Sequence, residues 1–334
     1  KDDSGLHVAE LVELDGISYV PPGMSHLPFL LPRLESCLSY YQSDDSRLFA
    51  DIMSYFKRFS YLPEDMLLIL TLYIFQTYLQ DNPNIHYMAM ILFYAVPERG
   101  KSRTGKAVAY ISYRGVHVVD MRETNIFRYS GNLGATIFFD IRDLWKKTER
   151  NQSEDTLLLR FEKGARVSRV LYPEKGAFED TVYYPVYGPT VMASNEPVHK
   201  ILGSRCILFP MPNAPGNYEN ATPELGVDIK ARLTAWRAKM MNKELPAVQS
   251  IQGISGRLWD ITLPLIQICK IVCPDKLGQL KDALLNISGE RRQDKKESFD
   301  GLIVKVLSEM TEGNAEHYEI MTSDLTDRFN EQWQ

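Results

Sequence analysis

A short basic segment with two glycines constrains this chain more than any other stretch. It reads Ala95-Val-Pro-Glu-Arg-Gly-Lys-Ser102, continues Arg103-Thr-Gly-Lys106, and follows an apolar run from Met88 to Val96. A strand, a glycine-containing turn with Lys and Ser, and then a helix form the arrangement that wraps nucleotide phosphates. The segment therefore predicts a loop that binds ATP with Mg²⁺. The residues predicted to form it are Pro97, Glu98, Arg99, Gly100, Lys101, Ser102 and Arg103.

The two glycines allow two alignments of this loop. In one, Gly105-Lys106 closes a G-x-x-x-x-G-K pattern, but Ala107 then stands where the Mg²⁺-binding hydroxyl belongs. In the other, Gly100-Lys101-Ser102 ends the loop, and Ala95 replaces its first glycine. We prefer the second alignment because it keeps the hydroxyl and leaves a longer helix, to about Arg114. A basic surface turn is the alternative to both.

The composition is that of an ordinary globular chain of one large or two modest domains. Its 334 residues are 44% hydrophobic and 24% charged, with a net charge of −5, which argues against a protein that coats nucleic acid. The longest apolar stretch, Met66 to Phe75, is too short to cross a bilayer and predicts a buried helix. The four cysteines predict buried thiols in a reducing compartment, and no signal-peptide pattern opens the chain. We expect a cytoplasmic protein without membrane contact.

The order of elements indicates an α/β fold with a mostly parallel sheet. From Met88 onward, strands alternate with helices, as in a sheet covered by helices. The predicted sheet strands are Met88–Val96, Val116–Asp120, Ala135–Asp140 and Thr190–Ser194. An insert before the last of them predicts three more strands, Thr156–Arg160, Val167–Tyr172 and Thr181–Val186.

Four regions are predicted along the chain. A helical N-terminal region covers residues 1–61, and the core covers 62–215 with a hairpin insert at about 156–186. A helical lid covers 216–288, and a linker and tail cover 289–334. The charged stretch Ser288 to Glu297 predicts the linker. The two tail helices suit either the opening of a winged helix or a helical pair that packs on the lid.

Asp140 is the candidate Mg²⁺ ligand beside the loop. The run Ala135-Thr-Ile-Phe-Phe-Asp140 delivers its carboxylate to the end of a buried strand, where it would hold the metal together with Ser102. Ile141 follows, where many such ATPases have glutamate. Asp143 is therefore the candidate base that orients water, although a helix-capping role suits it equally.

Two later residues extend the candidate site. Asn195 ends an apolar strand and is suited to contact the terminal phosphate. Arg205 stands just before another apolar run, where an arginine often projects into the site of a neighbouring subunit and stabilises charge on the transferred phosphate. Taken singly, the asparagine suits a cap and the arginine a solvated surface.

In this order, the motifs resemble those of AAA+-like helicase ATPases of phages, plasmids and integrated mobile elements. These proteins are akin to the superfamily III helicases and are often fused to primases. The resemblance covers roughly Leu62 to Val272. It includes Tyr73-Ile-Phe-Gln-Thr-Tyr, Tyr187-Gly-Pro-Thr-Val-Met-Ala-Ser-Asn-Glu-Pro and Gly256-Arg257-Leu-Trp-Asp-Ile-Thr-Leu-Pro-Leu.

The resemblance implies a P-loop NTPase core, AAA+-like, in a DNA helicase or translocase that hydrolyses ATP at the subunit interfaces of a ring, usually a hexamer. It implies that Asn195 is the first sensor, Arg205 the finger and Arg257 the second sensor on the lid. A primase or polymerase is implied as a partner. Because the chain departs from the pattern at Ala95 and Ile141, a loader or assembly protein that binds ATP but hydrolyses it weakly is the second hypothesis.

Basic residues cluster between Asp140 and Asn195. They alternate with apolar and aromatic residues across a glycine turn, which is typical of a hairpin with cations on one face. The candidates are Arg160, Lys163, Arg166 and Arg169. Superfamily III helicases place a DNA-gripping hairpin near this point, so we expect salt-dependent binding of single-stranded DNA in a central channel. A solvated hairpin face that pairs with nearby acids is the alternative.

Overall fold

The computed structural model describes residue 9 and residues 11–120, 122–176, 178–196, 199–311 and 320–333. The chain divides into two compact units, one of residues 1–250 with 255–280 and one of residues 251–254 with 281–334. The strands are β1 Val12–Leu14, β2 Ile17–Tyr19, β3 Met90–Tyr94, β4 Val116–Val118, β5 Ile137–Phe139, β6 Arg166–Val170, β7 Thr181–Pro185, β8 Thr190–Ser194 and β9 Cys206–Pro210.

The helices surround a central sheet in the first unit and make up most of the second. They are α1 Leu34–Gln42, α2 Leu48–Phe59, α3 Glu64–Thr77, α4 Lys101–Ile111, α5 Glu123–Phe127, α6 Leu144–Arg150, α7 Glu154–Leu159, α8 Lys200–Gly203, α9 Val227–Met240, α10 Gly256–Val272, α11 Leu277–Glu297, α12 Phe299–Thr311 and α13 Thr322–Trp333. Among the described residues, no helix has the length and apolar character that crossing a membrane requires.

The central sheet has five strands in the order β4-β5-β8-β3-β9, and every neighbouring pair is parallel. Apart from the outer strand β9, its strands are buried along nearly their whole length, as expected where helices cover both faces. The fold is therefore α/β with a parallel sheet and many helices, which is compatible with a P-loop-like core. β9 was not assigned as a strand from the sequence.

The strand order predicts a ligand crevice at the carboxyl edge of the sheet. The connection after β3 runs to the outer strand β4, whereas the connection after β8 runs to β9, the outer strand on the other side of the sheet. The connections of these two neighbouring strands thus run in opposite directions, and ligands of such sheets bind in the crevice outside the carboxyl ends of the strands where this occurs. The loop after β3 and the end of β8 lie at this position.

The apolar stretch in α3 is buried, as predicted. Its residues from Leu67 to Thr77 are all buried, and the hydroxyl of Tyr73 donates a hydrogen bond of 3.1 Å to the carbonyl of Thr190 at the start of β8. The helix thus lies against the sheet and anchors its central strands.

Two predicted elements are wrong. Thr156–Arg160 is not a strand, because Glu154–Leu159 form α7, whose first turn carries two acids that stabilise a helix start. Ser288–Glu297 is not a linker, because α11 continues through it to Glu297. Arg, Lys, Glu and Gln are good helix formers, so a charged run after an apolar helix extends that helix.

The two helices predicted for the tail are present as α12 and α13, which pack together with the rings of Phe299 and Phe329 at 5.2 Å. Neither the winged-helix interpretation nor the four region boundaries follow from this, so both stay predictions.

Candidate functional site

The glycine loop, residues 95–100, joins the interior strand β3 to α4. The helix begins at Lys101, and Gly100 immediately before it has a φ of 79°. This left-handed conformation suits glycine, and a Cβ there would also lie 3.3 Å from the Arg103 guanidinium. Glu98 is left-handed as well, with a φ of 67°, so the backbone turns sharply twice before the helix.

The position of α4 excludes one of the two loop alignments. Gly105 and Lys106 lie inside the helix, not in the loop. A Cβ at Gly105 would come within 2.1 Å of the ring of Phe138 on β5, so this glycine lets the helix pack closely on the sheet. The alignment that ends at Gly105-Lys106 is therefore wrong.

The side chain of Lys101 folds back onto backbone carbonyls of its own loop. Its Nζ donates hydrogen bonds to the carbonyl oxygens of Ala95 at 2.8 Å and Val96 at 2.7 Å. The residue is only 8% exposed, and burial lowers the pKa of its ammonium group. The loop thus holds a partly desolvated cation beside its own carbonyls.

Ser102 and Asp140 meet at the carboxyl edge of the sheet. The Ser102 hydroxyl donates a 2.8 Å hydrogen bond to Oδ1 of Asp140, which directly follows β5. The hydroxyl and the carboxylate are both oxygen donors of the kind that Mg²⁺ prefers, and together they match the protein ligands of the metal in phosphate loops. The residues present therefore fit Mg²⁺.

A histidine that sequence reasoning missed completes this cluster. Nε2 of His117 lies 3.4 Å from Oδ2 of Asp140 and makes no hydrogen bond to any described residue. His117 is the largest cause, and Ser102 a further one, that lowers the pKa of Asp140, so the carboxylate stays ionised. His117 pairs with Phe138 across β4 and β5, which places it on the face of the nearby Asp140. Only the strand pairing could have revealed it.

The predicted loop residues differ in how far their side chains are engaged. Pro97 and Glu98 are exposed, and Arg99 is half-buried. Arg103 turns away from the loop, because its Nε donates to the carbonyl of Phe59 at 2.8 Å and its guanidinium lies over the ring of Tyr218. Arg103 therefore ties α4 to the end of α2.

Asp143 and Asn195 lie at the same edge of the sheet. Asp143 occupies the N-cap position of α6 with a φ of 56°, but its side chain makes no capping hydrogen bond. Asn195 follows β8 directly and is exposed. Ile141 is 2% exposed, so the position after Asp140 faces the core rather than the crevice.

An ion pair joins these two segments. Lys146 on α6 lies 2.8 Å from Glu196, the residue after Asn195. Next to it, the rings of Trp145 and His199 stack at 4.3 Å. Glu196 is therefore a further carboxylate at this edge that sequence reasoning missed, since only the packing of α6 on the end of β8 reveals it.

Arg205 and Arg257 lie at the amino edge of the sheet, where its strands begin. The carbonyl of Arg205 accepts a 3.0 Å hydrogen bond from the N–H of Met90, where β3 begins. Arg257, at the start of α10, donates a 2.6 Å hydrogen bond to the Ser204 hydroxyl. The length of β3, about 13 Å for four steps along a strand, separates this edge from the glycine loop.

The prediction that Arg160 contacts DNA is wrong. Its side chain is fully buried, and its guanidinium donates to oxygens of Thr190, Val186, Pro189 and Ser130. Burial lowers the pKa of this guanidinium, which is surrounded by neutral acceptors. Arg160 therefore links the end of α7 to the start of β8.

The remaining basic candidates are placed on or near a real hairpin, formed by β6 and β7. Lys163 donates to the carbonyl of Asn82 at 2.5 Å and lies over the ring of Tyr187. Arg169 pairs with Glu123 on α5, with one hydrogen bond of 3.0 Å. Arg166 is exposed, and within the described residues it makes no ion pair.

The comparisons with known proteins find a structural likeness only. No protein-family model matches the chain, and no curated protein matches it. A solved structure titled "SCCmec type IV Cch - active helicase" is similar with a TM-score of 0.39 and 12% identity, over 90% of this chain and 63% of that chain. The present chain thus spans less than two thirds of that protein's length.

Proposed function

We propose that this chain is an ATP-driven motor that acts on DNA, as the helicase or translocase module of a mobile-element replication protein. The observation that carries the proposal is the hydrogen bond between Ser102 and Asp140 at the end of the glycine loop. It brings a hydroxyl and an ionised carboxylate together beside a helix N-terminus and a lysine, which is the set of groups that a nucleoside triphosphate with Mg²⁺ requires.

The residues of the loop and its neighbours have separate roles in binding the nucleotide. Lys101 exchanges the carbonyls of Ala95 and Val96 for phosphate oxygens, and backbone N–H groups at the start of α4 bind the same anion. Ser102 and Asp140 would hold Mg²⁺, which would neutralise charge on the outer phosphates when bound. His117, the largest cause of the lowered pKa of Asp140, favours the charged form of this carboxylate.

Residues at the ends of β5 and β8 act on the terminal phosphate. Asp143 orients the attacking water, because its carboxylate is not used in capping α6. Asn195 positions the phosphate from the end of β8. The pair between Lys146 and Glu196 holds these two segments together.

Arg205 serves a second copy of the chain. It lies at the amino edge of the sheet and cannot meet the loop of its own chain at the carboxyl edge. A head-to-tail ring, in which one copy's amino edge faces its neighbour's carboxyl edge, completes the site. We therefore propose a homo-oligomeric ring.

The outer face of the hairpin contacts single-stranded DNA. Arg166 is exposed there, and Lys175 lies over the ring of Tyr172 near the turn. Phe178 is 99% exposed and Tyr183 is 62% exposed, so flat rings stand free beside positive charge. Aromatic rings that stack on bases, with cations that track the phosphates, form a sequence-tolerant single-strand site.

A second candidate function is a nucleotide-dependent loader or assembly protein that hydrolyses ATP weakly. The buried Ile141 favours it, since a carboxylate that could activate water is missing from the position beside Asp140. Turnover separates the two functions.

The test is ATP turnover by the purified chain with and without single-stranded DNA, together with opening of a forked duplex. We expect turnover that DNA stimulates and that Lys101→Ala abolishes. If the chain binds ATP but its turnover stays at background even with DNA present, the motor proposal fails and the loader or assembly function remains. Robust turnover with a closed fork would leave an ATPase without helicase activity.

A further inference from the structure

Two guanidinium groups share one aromatic ring at the amino edge of the sheet. The Cζ atoms of Arg205 and Arg257 lie 4.9 Å and 5.6 Å from the centre of the Phe161 ring. Arg205 stands before β9, and Arg257 comes from α10, so two distant parts of the chain converge here. Like charges repel at this range, and the electron-rich face of a ring is one of the few neutral groups that attracts both.

The other partners of this pair are also neutral. Arg257 donates to the Ser204 hydroxyl, and Arg205 donates to the carbonyl of Ile201 at 2.9 Å. Glu162 acts on Arg205 through its charge, but the two form no ion pair within the described part of the chain. Nε of Arg205 is buried and has no hydrogen-bond partner among the described residues. The pair therefore carries two positive charges and one unused N–H donor. No acid in the described part of the chain forms an ion pair with either arginine.

We propose that Arg257 acts together with Arg205 on the nucleotide held by a second copy of the chain, and not on the nucleotide in its own loop. The proposal rests on the proposed function and adds a residue to it. Arg257 hydrogen-bonds to the residue directly before Arg205, whereas the loop of the same chain lies beyond the far end of β3. A neighbour's triphosphate thus meets two guanidiniums from one subunit.

The chemistry favours a phosphate over other anions. A guanidinium presents a rigid fork of N–H donors that bonds two oxygens at once, and two such forks match the several oxygens of a terminal phosphate. Charge spreads over these oxygens as the phosphoryl group is transferred, so both arginines bind more strongly in the transition state. The Phe161 ring holds the two planes in place.

The test mixes two inactive variants. Lys101→Ala has a defective loop and an intact arginine pair, whereas Arg257→Ala has an intact loop and a defective pair. Each alone should lose about 100-fold in turnover, since a charge-assisted hydrogen bond contributes about 1.5–3 kcal/mol. In an equal mixture we expect turnover to recover to about a quarter of wild type, because about a quarter of the interfaces in a random ring pair an intact loop with an intact neighbour.

A mixture that stays at background would overturn the proposal, since an arginine that serves its own loop cannot be supplied by a neighbour. A matched mixture of Lys101→Ala with Arg205→Ala should recover to the same level. If it recovers and the Arg257→Ala mixture does not, only the role of Arg257 is contradicted. If the wild-type chain hydrolyses no ATP at any concentration, the proposed function itself fails.

A binding measurement keeps the result free of folding effects. At concentrations where single chains prevail, Arg257→Ala should bind a fluorescent ATP analogue with wild-type affinity and unfold at the wild-type temperature. Affinity that falls tenfold in single chains would place Arg257 at its own loop and contradict the proposal. Arg257→Lys, which keeps the charge but loses the fork, should recover only part of the turnover.

Discussion

The charged groups at the two edges of the central sheet have different bonding partners. At the carboxyl edge, positive and negative groups lie together, since Lys101 donates to the loop carbonyls and the Ser102 hydroxyl donates to the carboxylate of Asp140. At the amino edge, Arg205 and Arg257 share one ring, and within the described residues their hydrogen bonds go to neutral oxygens. Among the described residues, the first edge thus holds a carboxylate with its hydrogen-bond donor, whereas the second brings two positive charges together without an ion pair.

The difference follows from the parallel sheet. All strands end at one edge and begin at the other, so residues after β3, β5 and β8 converge while residues before β9 lie a strand length away. Under the proposed function, one chain therefore carries two halves of a site that cannot meet within it.

The largest effect is expected at the amino edge, where two arginines have different surroundings. Arg160→Met leaves four buried oxygens without their donor, so the free energy of unfolding should fall by about 4 kcal/mol. Arg257→Met, at an exposed position, should change it by less than about 0.5 kcal/mol. Urea unfolding measures both. Equal losses of unfolding free energy would show that Arg257 stabilises the fold as much as Arg160 does, and would contradict the expected difference between the two arginines.

At the carboxyl edge, Lys101→Ala should weaken ATP binding about 100-fold, because the variant loses the one ammonium that faces the loop carbonyls. Lys106→Ala is the matched control, since Lys106 lies within α4, and it should bind within about twofold of wild type. Calorimetric titration with ATP and Mg²⁺ decides. A stronger effect from Lys106 would restore the rejected alignment of the loop.

Gly105 in α4 should respond to substitution differently from an ordinary helical glycine. Gly105→Ala forces a Cβ against the Phe138 ring and should lower the free energy of unfolding by about 1–3 kcal/mol. Gly278→Ala, in α11 with open space around it, should instead raise it by about 0.5–1 kcal/mol. Thermal unfolding of both variants checks this. A stable Gly105→Ala variant would show that α4 is not pressed against β5.

The smallest effect concerns pH. The pKa of Asp140 is lowered in the folded chain, first by His117, so its charge stabilises the fold above the ordinary carboxyl pKa of about 4. This stabilisation is lost as the pH falls through the lowered value. The difference in unfolding free energy between wild type and Asp140→Asn should therefore shrink between pH 7 and pH 3. A constant difference would mean that Asp140 is not held ionised by its neighbours.

Much of the carboxyl edge follows from the sequence, and little of the amino edge does. A loop after one buried strand and an acid after another converge in any parallel sheet, so Ser102 and Asp140 could be placed together in advance. His117 and the ring of Phe161 could not, because their positions depend on which strands are neighbours and how α10 packs. Local patterns also misled twice, since a short apolar run suits a helix as well as a strand and a charged run suits a helix as well as a linker.

The central claim is that one chain holds two half-sites that only another copy completes. It is tested most directly by ATP turnover per chain across a dilution series, with particle mass measured in each sample. We predict that turnover per chain falls towards background as the mass drops to that of a single chain, and that it rises again when the chains reassociate. Turnover per chain that stays constant down to single chains would contradict the account.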